Sequence, residues 1–141
     1  MRCRCRCHRL TGDQIQPHHW DAFYQWYLTT VDKKMGRAYL TRDFFSEIGR
    51  TMANRILLVV ATRAGADGSP ELIAGALNLI GSHALYGRNW GCDPTVDVSG
   101  LHFEVCYYQA IEAAIEMGLA RVEAGAQGEH KISRWVHFDD G

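Results

Sequence analysis

From Trp20 onward the apolar positions keep a helical rhythm. Trp20, Phe23, Tyr24, Tyr27, Leu28 and Val31 recur at the i, i+3, i+4, i+7 spacing of one buried face, and Pro17 suits a first helical turn. Lys33-Lys34-Met35-Gly36-Arg37 interrupts that pattern. Thr41 can then cap a second helix, with Asp43 facing the positive end of its dipole and Phe44, Phe45, Ile48 and Met52 as its buried side. At Arg55-Ile-Leu-Leu-Val-Val-Ala-Thr62 the period disappears into a continuous apolar, β-branched run, which predicts a central strand over 56–62. The turn from Ala64 to Pro70 contains Asp67-Gly68. A second strand follows over 72–80, the two-residue link Gly81-Ser82 closes a tight hairpin, and a third strand covers 83–90. Residues 101–118 return to helical spacing, with His102, Gln109, Glu112 and Glu116 in one polar stripe, and 120–124 reads as a parallel strand. The class predicted is α/β (α+β), with an antiparallel three-strand meander, a crossing helix, a further strand, and helices on both faces.

Composition narrows the function. The chain has 141 residues, enough for one domain with a real core, and a net charge of −1. No face-wide basic excess is visible, so DNA binding through phosphate contacts is not expected. Four arginines within the first nine residues are the exception, and residues 1–12 read as a disordered Cys/Arg-rich tail. No apolar run is long enough to span a bilayer and none follows the basic N-terminus, so the expected location is cytoplasmic. Cys3, Cys5 and Cys7 alternate beside His8, which could gather three sulfurs on one face. The spacing lacks the Cys-x-x-Cys turn that wraps zinc, and no metal is expected. Cys92 and Cys106 read as small buried hydrophobes.

The densest chemistry lies in Glu123-Ala-Gly-Ala-Gln-Gly-Glu-His-Lys131, at a strand end where a scaffold can hold reactive groups. Glu123 belongs to the strand. Gly125 and Gly128 free the backbone to turn and bring Gln127, Glu129 and His130 to its mouth. Two carboxylates and an imidazole can divide acid and base roles. Glu104 falls on the helix side that should face the sheet, where burial would raise its pKa toward that of a general base; the alternative is a first-turn carboxylate facing the dipole. Tyr86, Arg88 and Trp90 alternate along one strand and so should share a face, with Arg88 receiving an anionic group between two rings or closing a buried ion pair. Glu104, Glu129 and His130 are thus the candidate catalytic groups. Arg88, Trp90, Glu123 and Gln127 are the candidate substrate-binding groups, and all are expected to converge on one cleft.

These stretches resemble the FemAB-like, GNAT-related proteins of peptidoglycan biosynthesis and recognition. The resemblance is carried by Leu10-Thr-Gly-Asp13, His19-Trp-Asp-Ala-Phe-Tyr24, Ala76-Leu-Asn-Leu-Ile-Gly81, Leu85-Tyr-Gly-Arg88, Trp90-Gly-Cys92, His102-Phe-Glu104, Cys106-Tyr-Tyr-Gln-Ala-Ile111 and Glu123 to Lys131. It implies an acyl-CoA N-acyltransferase fold and transfer of an acyl or aminoacyl group to an amine on a small molecule or peptidoglycan precursor. The donor would be a substrate, acyl-CoA or aminoacyl-tRNA, rather than a bound cofactor, and tRNA would enter only in that role. Family members are longer. Trp135 to Gly141 leaves their pattern, so the resemblance implies a truncated C-terminal part: an incomplete acyltransferase domain over 13–134, a divergent tail over 135–141, and an exposed edge on strand 120–124. The segment from Gly91 to Gly100 lacks the Gln/Arg-x-x-Gly-x-Gly/Ala loop that cradles pyrophosphate and carries Asp93 and Asp97, which keeps an aminoacyl donor beside acetyl-CoA. The alternatives to an enzyme are a non-catalytic domain that recognises an amino sugar or peptide, and an inactive fragment.

Overall fold

The computed structural model describes residues 5–33, 40–96, 100–101, 104–123 and 135–137. Six strands lie in chain order across one sheet: β1 (Arg6–Thr11), β2 (Ile56–Ala64), β3 (Pro70–Ile80), β4 (Ala84–Cys92), β5 (Arg121–Glu123) and β6 (Trp135–His137). All neighbours are antiparallel except β4 and β5, which run parallel. The mixed α+β class and the 56–62, 72–80, 83–90 meander are as the sequence pattern predicts, with each strand extended by a few residues.

β2 explains the continuous apolar run. Ile56, Leu58 and Val60 point into one core, Leu57, Val59 and Ala61 into another, and all six are buried. The first core is aromatic: Trp20, Phe23, Trp26 and Tyr27 of α1 (Pro17–Lys33) meet Phe45 and Ile48 of α2 (Arg42–Thr51). Trp20 stacks on Phe45 with centroids 5.5 Å apart, while Phe23 meets Phe45 edge-on at 5.6 Å. Thr41 caps α2 as predicted, its hydroxyl accepting from Phe44 N–H at 3.3 Å, an interaction worth about 1 kcal/mol. The second core is built of small residues, with Ala61, Ala74 and Ala76 under Ala110, Ala113 and Ala114.

The helix predicted over 101–118 is not uniform. Residues Glu104–Tyr108 form a π-helical turn, and only Gln109–Glu116 (α3) is α-helical. Spacing gives the reason: Leu101 and Val105 are buried four apart, but the next buried residue, Ala110, comes five later. A wider turn keeps all three on the sheet. The helix closes on Gly118 at φ 72°, where Leu119 N–H bonds Ala114 C=O and Gly118 N–H bonds Ile115 C=O.

Two expectations are corrected at the sheet edges. Residues 1–12 are not simply a tail, since Arg6–Thr11 is β1, paired along β2 from Arg6↔Thr62 to Thr11↔Leu57. The alternation is itself a strand signature: Arg6 and His8 are exposed, while Cys7 packs into the small-residue core and Leu10 into the aromatic one. Arg9 ties this strand to α3, with its Nη2 2.9 Å from the Glu116 carboxylate. Nor is 135–141 wholly a divergent tail, because Trp135–His137 pairs with β5 from Arg121↔His137 to Glu123↔Trp135 and covers the edge expected to be open.

Candidate functional site

β4 is the strand on which the candidate residues depend. Ala84, Leu85 and Tyr86 pair with β5 at Arg121, Val122 and Glu123, and Leu85 and Tyr86 also pair with β3, so these two are flanked on both sides. Beyond Tyr86 no β5 partner occurs among the described residues. On the β3 side the consecutive pair Leu77-Asn78 faces Asn89 and Gly87, which leaves Arg88 as the extra residue of a β-bulge. Among the described residues, the bulge and the end of the β5 pairing coincide.

The bulge overturns the expected shared face of Tyr86, Arg88 and Trp90. Leu85 packs into the small-residue core, yet so do Trp90 and Cys92, of opposite parity. One inserted residue has exchanged the faces. Tyr86, on the opposite side from Leu85, therefore lies on the α1 face, whereas Trp90 lies on the α3 face. Arg88 is exposed at the bulge itself. Beyond it the alternation places Asn89 and Gly91 on the α1 face, where a Cβ added to Gly91 would stand 2.5 Å from Trp26 Cβ.

Glu123 stands opposite Tyr86 in the parallel register, so the sheet brings it to the same end as Arg88. Val122 is buried in the small-residue core, which turns Arg121 and Glu123 to the α1 face. Arg121 Nε donates to the Glu123 carboxylate at 3.1 Å, both half-buried. That bond, with help from Tyr86, raises the Arg121 guanidinium above its ordinary pKa and keeps it charged.

Glu104 arrives from the other side. It starts the π turn on the α3 face, half-buried, and its Oε2 accepts from Gln109 Nε2 at 2.9 Å. Residues five apart face one another only because the turn is π rather than α. The sheet thus separates Glu104 from Glu123, and the predicted cleft divides into an α1-side group, Tyr86, Asn89, Arg121 and Glu123, and an α3-side group, Trp90, Glu104 and Gln109. Gln127, Glu129 and His130 lie outside the described residues. Sequence reasoning passed over Asn89, Gln109 and Arg121; the polar Asn89 inside a buried strand was the available signal.

The loop after β4 carries a fixed negative charge. Thr95 donates to Asp93 Oδ1 through its hydroxyl at 2.7 Å and its backbone N–H at 2.9 Å, which lowers the carboxyl pKa. Burial pushes the Cys106 thiol up to about 12, with Cys92 adding to the effect. Both cysteines pack against the small-residue core, in keeping with the expected apolar role.

A family model described as FemAB-like, peptidoglycan biosynthesis/recognition, matches residues 1–137. The match includes the N-terminal Cys/Arg segment and the β6 residues, which the sequence reading had set apart. No curated protein matches. Among solved structures, an aminoglycoside acetyltransferase from an uncultured soil metagenomic sample, in complex with sisomicin, aligns with TM-score 0.66 at 11% identity, covering 98% of this chain and 96% of that one. The Escherichia coli ribosomal-protein-S18-alanine N-acetyltransferase aligns with TM-score 0.58 at 15% identity, over 84% and 66% of the two chains. The PaiA N-acetyltransferase from Thermoplasma acidophilum, in complex with coenzyme A, gives TM-score 0.53 at 10% identity, over 85% and 77%. The fold is that of the GNAT acetyltransferases.

Proposed function

We propose that this chain, which belongs to the FemAB-like family of peptidoglycan biosynthesis/recognition proteins, is an N-acyltransferase that joins a donor acyl group to an amine. The observation that carries this is the coincidence, among the described residues, of the bulge with the end of the β5 pairing on β4. Beyond Tyr86 the ladder between β4 and β5 does not continue among the described residues, and backbone where two strands part can meet an extended acyl donor. A β4 N–H directed at the donor carbonyl would stabilise the oxyanion as the amine attacks. The new C–N bond forms, the bond from the acyl carbon to sulfur or oxygen breaks, and the amine proton passes to Glu129, His130 or Glu104 while the leaving group takes up another. We assign Arg88 and Trp90 to the donor, and Glu123 and Gln127 to the acceptor.

Acyl-CoA is the first donor to test, given the coenzyme A complex of the Thermoplasma protein. The charged Asp93 on the loop after β4 opposes a pyrophosphate at that place and supports an aminoacyl donor, or a domain that recognises an amino sugar or peptide without acylating it. No helix among the described residues is long and apolar enough to cross a membrane. The acceptor we favour is a small amine or peptidoglycan precursor met in the cytoplasm. The experiment is thiol release from acetyl-CoA with a panel of primary amines. Glu129→Gln should lower turnover by roughly 10²–10⁴-fold with folding intact, and His130→Ala should move the pH profile. Full turnover in both variants would return these residues to structural roles.

A further inference from the structure

Two asparagines flank the β4 bulge, and their surroundings differ. Asn78 is 2% exposed, and its Nδ2 donates to the backbone oxygens of Leu57 and Ala76, both at 3.4 Å. Asn89 is 9% exposed, and its Oδ1 is buried with no hydrogen-bond partner. The other such atom among the described residues, Arg9 Nη1, belongs to a guanidinium already paired with Glu116 at 2.9 Å. Asn89 therefore holds the one lone buried side-chain acceptor among the described residues, and folded proteins rarely leave such a group without a partner.

Its place makes that partner specific. Asn89 is the first residue beyond the bulge, past the last described β5 pair, and on the α1 face that Tyr86, Arg121 and Glu123 also occupy. An amide oxygen accepts a hydrogen bond but is no base, so it can hold an N–H without removing its proton. Arg121 already engages the Glu123 carboxylate, whereas Asn89 Oδ1 is a buried acceptor with no partner.

We infer that Asn89 is an acceptor-binding residue whose Oδ1 takes an N–H of the incoming primary amine and orients its lone pair toward the donor carbonyl. This rests on the N-acyltransferase reading and extends it: the amine enters from the α1 face. The requirement is for an acceptor with at least two N–H bonds when neutral, one held by Asn89 and one lost in the reaction.

The test uses the full chain, acetyl-CoA as donor, and glucosamine, sisomicin and a lysine-containing peptide as acceptors. Asn89→Leu keeps the side-chain shape and removes the oxygen. It should raise the amine KM at least tenfold, leave the acetyl-CoA KM unchanged, and leave the unfolding midpoint equal or higher, because the lost oxygen bonds nothing in the fold. Asn89→Asp should lower the amine KM by holding the ammonium form, and should move the kcat optimum to higher pH. An unchanged amine KM in Asn89→Leu, or a lowered midpoint, overturns the inference and makes Asn89 structural. If Asn89→Leu does not fold, an unmoved optimum in Asn89→Asp overturns it. Wild-type protein that acylates none of the three amines overturns the transferase reading, and this inference with it.

Discussion

The two halves of β4 share one strand and obey different rules. Leu85 and Tyr86 have β3 on one side and β5 on the other, and Leu85 is fully buried between Ile80 and Val122. Residues 87–92 keep β3 but meet no β5 partner among the described residues, and they hold the bulge, two glycines and the lone Asn89 oxygen. The closed half concentrates apolar burial and completed hydrogen bonds. The open half carries the bulge and no β5 pairing among the described residues, while Trp26 of α1 packs on it at Gly91. A strand that must both hold a sheet together and present backbone to a ligand has divided the two tasks along its length.

Substitutions can break that division. The largest effect is expected from Leu85→Ala in the closed half, since the side chain is fully buried in the small-residue core and its removal leaves a cavity. Chemical denaturation should show a loss of about 2–5 kcal/mol, with substrate KM values unchanged in the folded protein. A loss near zero would mean that the two halves are equally soft. Gly91→Ala comes next. It lies in the open half, but its new methyl would overlap Trp26, whose backbone carbon is 3.0 Å from the added atom. α1 would have to lift from β4, at a loss of about 1–3 kcal/mol. A neutral Gly91→Ala would show that α1 does not pack closely on β4 at Gly91.

The closed half was legible in the sequence and the open half was not. A run such as Ile56 to Ala61 admits one reading, because only a strand buried on both faces places six apolar neighbours without exposing one. Gly81-Ser82 fixes the hairpin in the same local way. The bulge at Arg88 is different in kind: it depends on how Leu77-Asn78 of β3 meets Asn89 and Gly87 across the hairpin, so alternation alone put Tyr86 and Trp90 on a common face. The π turn at 104–108 left a trace in the five-residue gap from Val105 to Ala110, but both are small apolar residues that an α-helix also accepts. β1 shows the reverse, a legible alternation overridden by the expectation that arginine-rich termini are unstructured. Which face Glu123 occupies follows from the register of β5, three residues long, and alternation within so short a strand does not announce it.

The smallest effect concerns how firmly the α3 face is seated over the open half. Cys106, on the π turn, has its thiol raised from 9.0 to about 12, by burial first and by Cys92 at the end of β4 second. Below pH 9 both folded and unfolded chains keep this proton and the contribution to stability is complete. Above it the unfolded chain ionises first, so stability drains away until about pH 12, where the folded thiol ionises too. Other groups titrate in that window, and comparing wild type with Cys106→Ala cancels them. The variant loses stability at neutral pH through its missing sulfur, and that deficit should shrink as pH rises, by on the order of 1 kcal/mol at pH 9.5. A deficit constant from pH 7 to 10 would mean that water reaches the thiol in the folded state. The π turn would then be loose over β4, and the open half would be open on two sides rather than one.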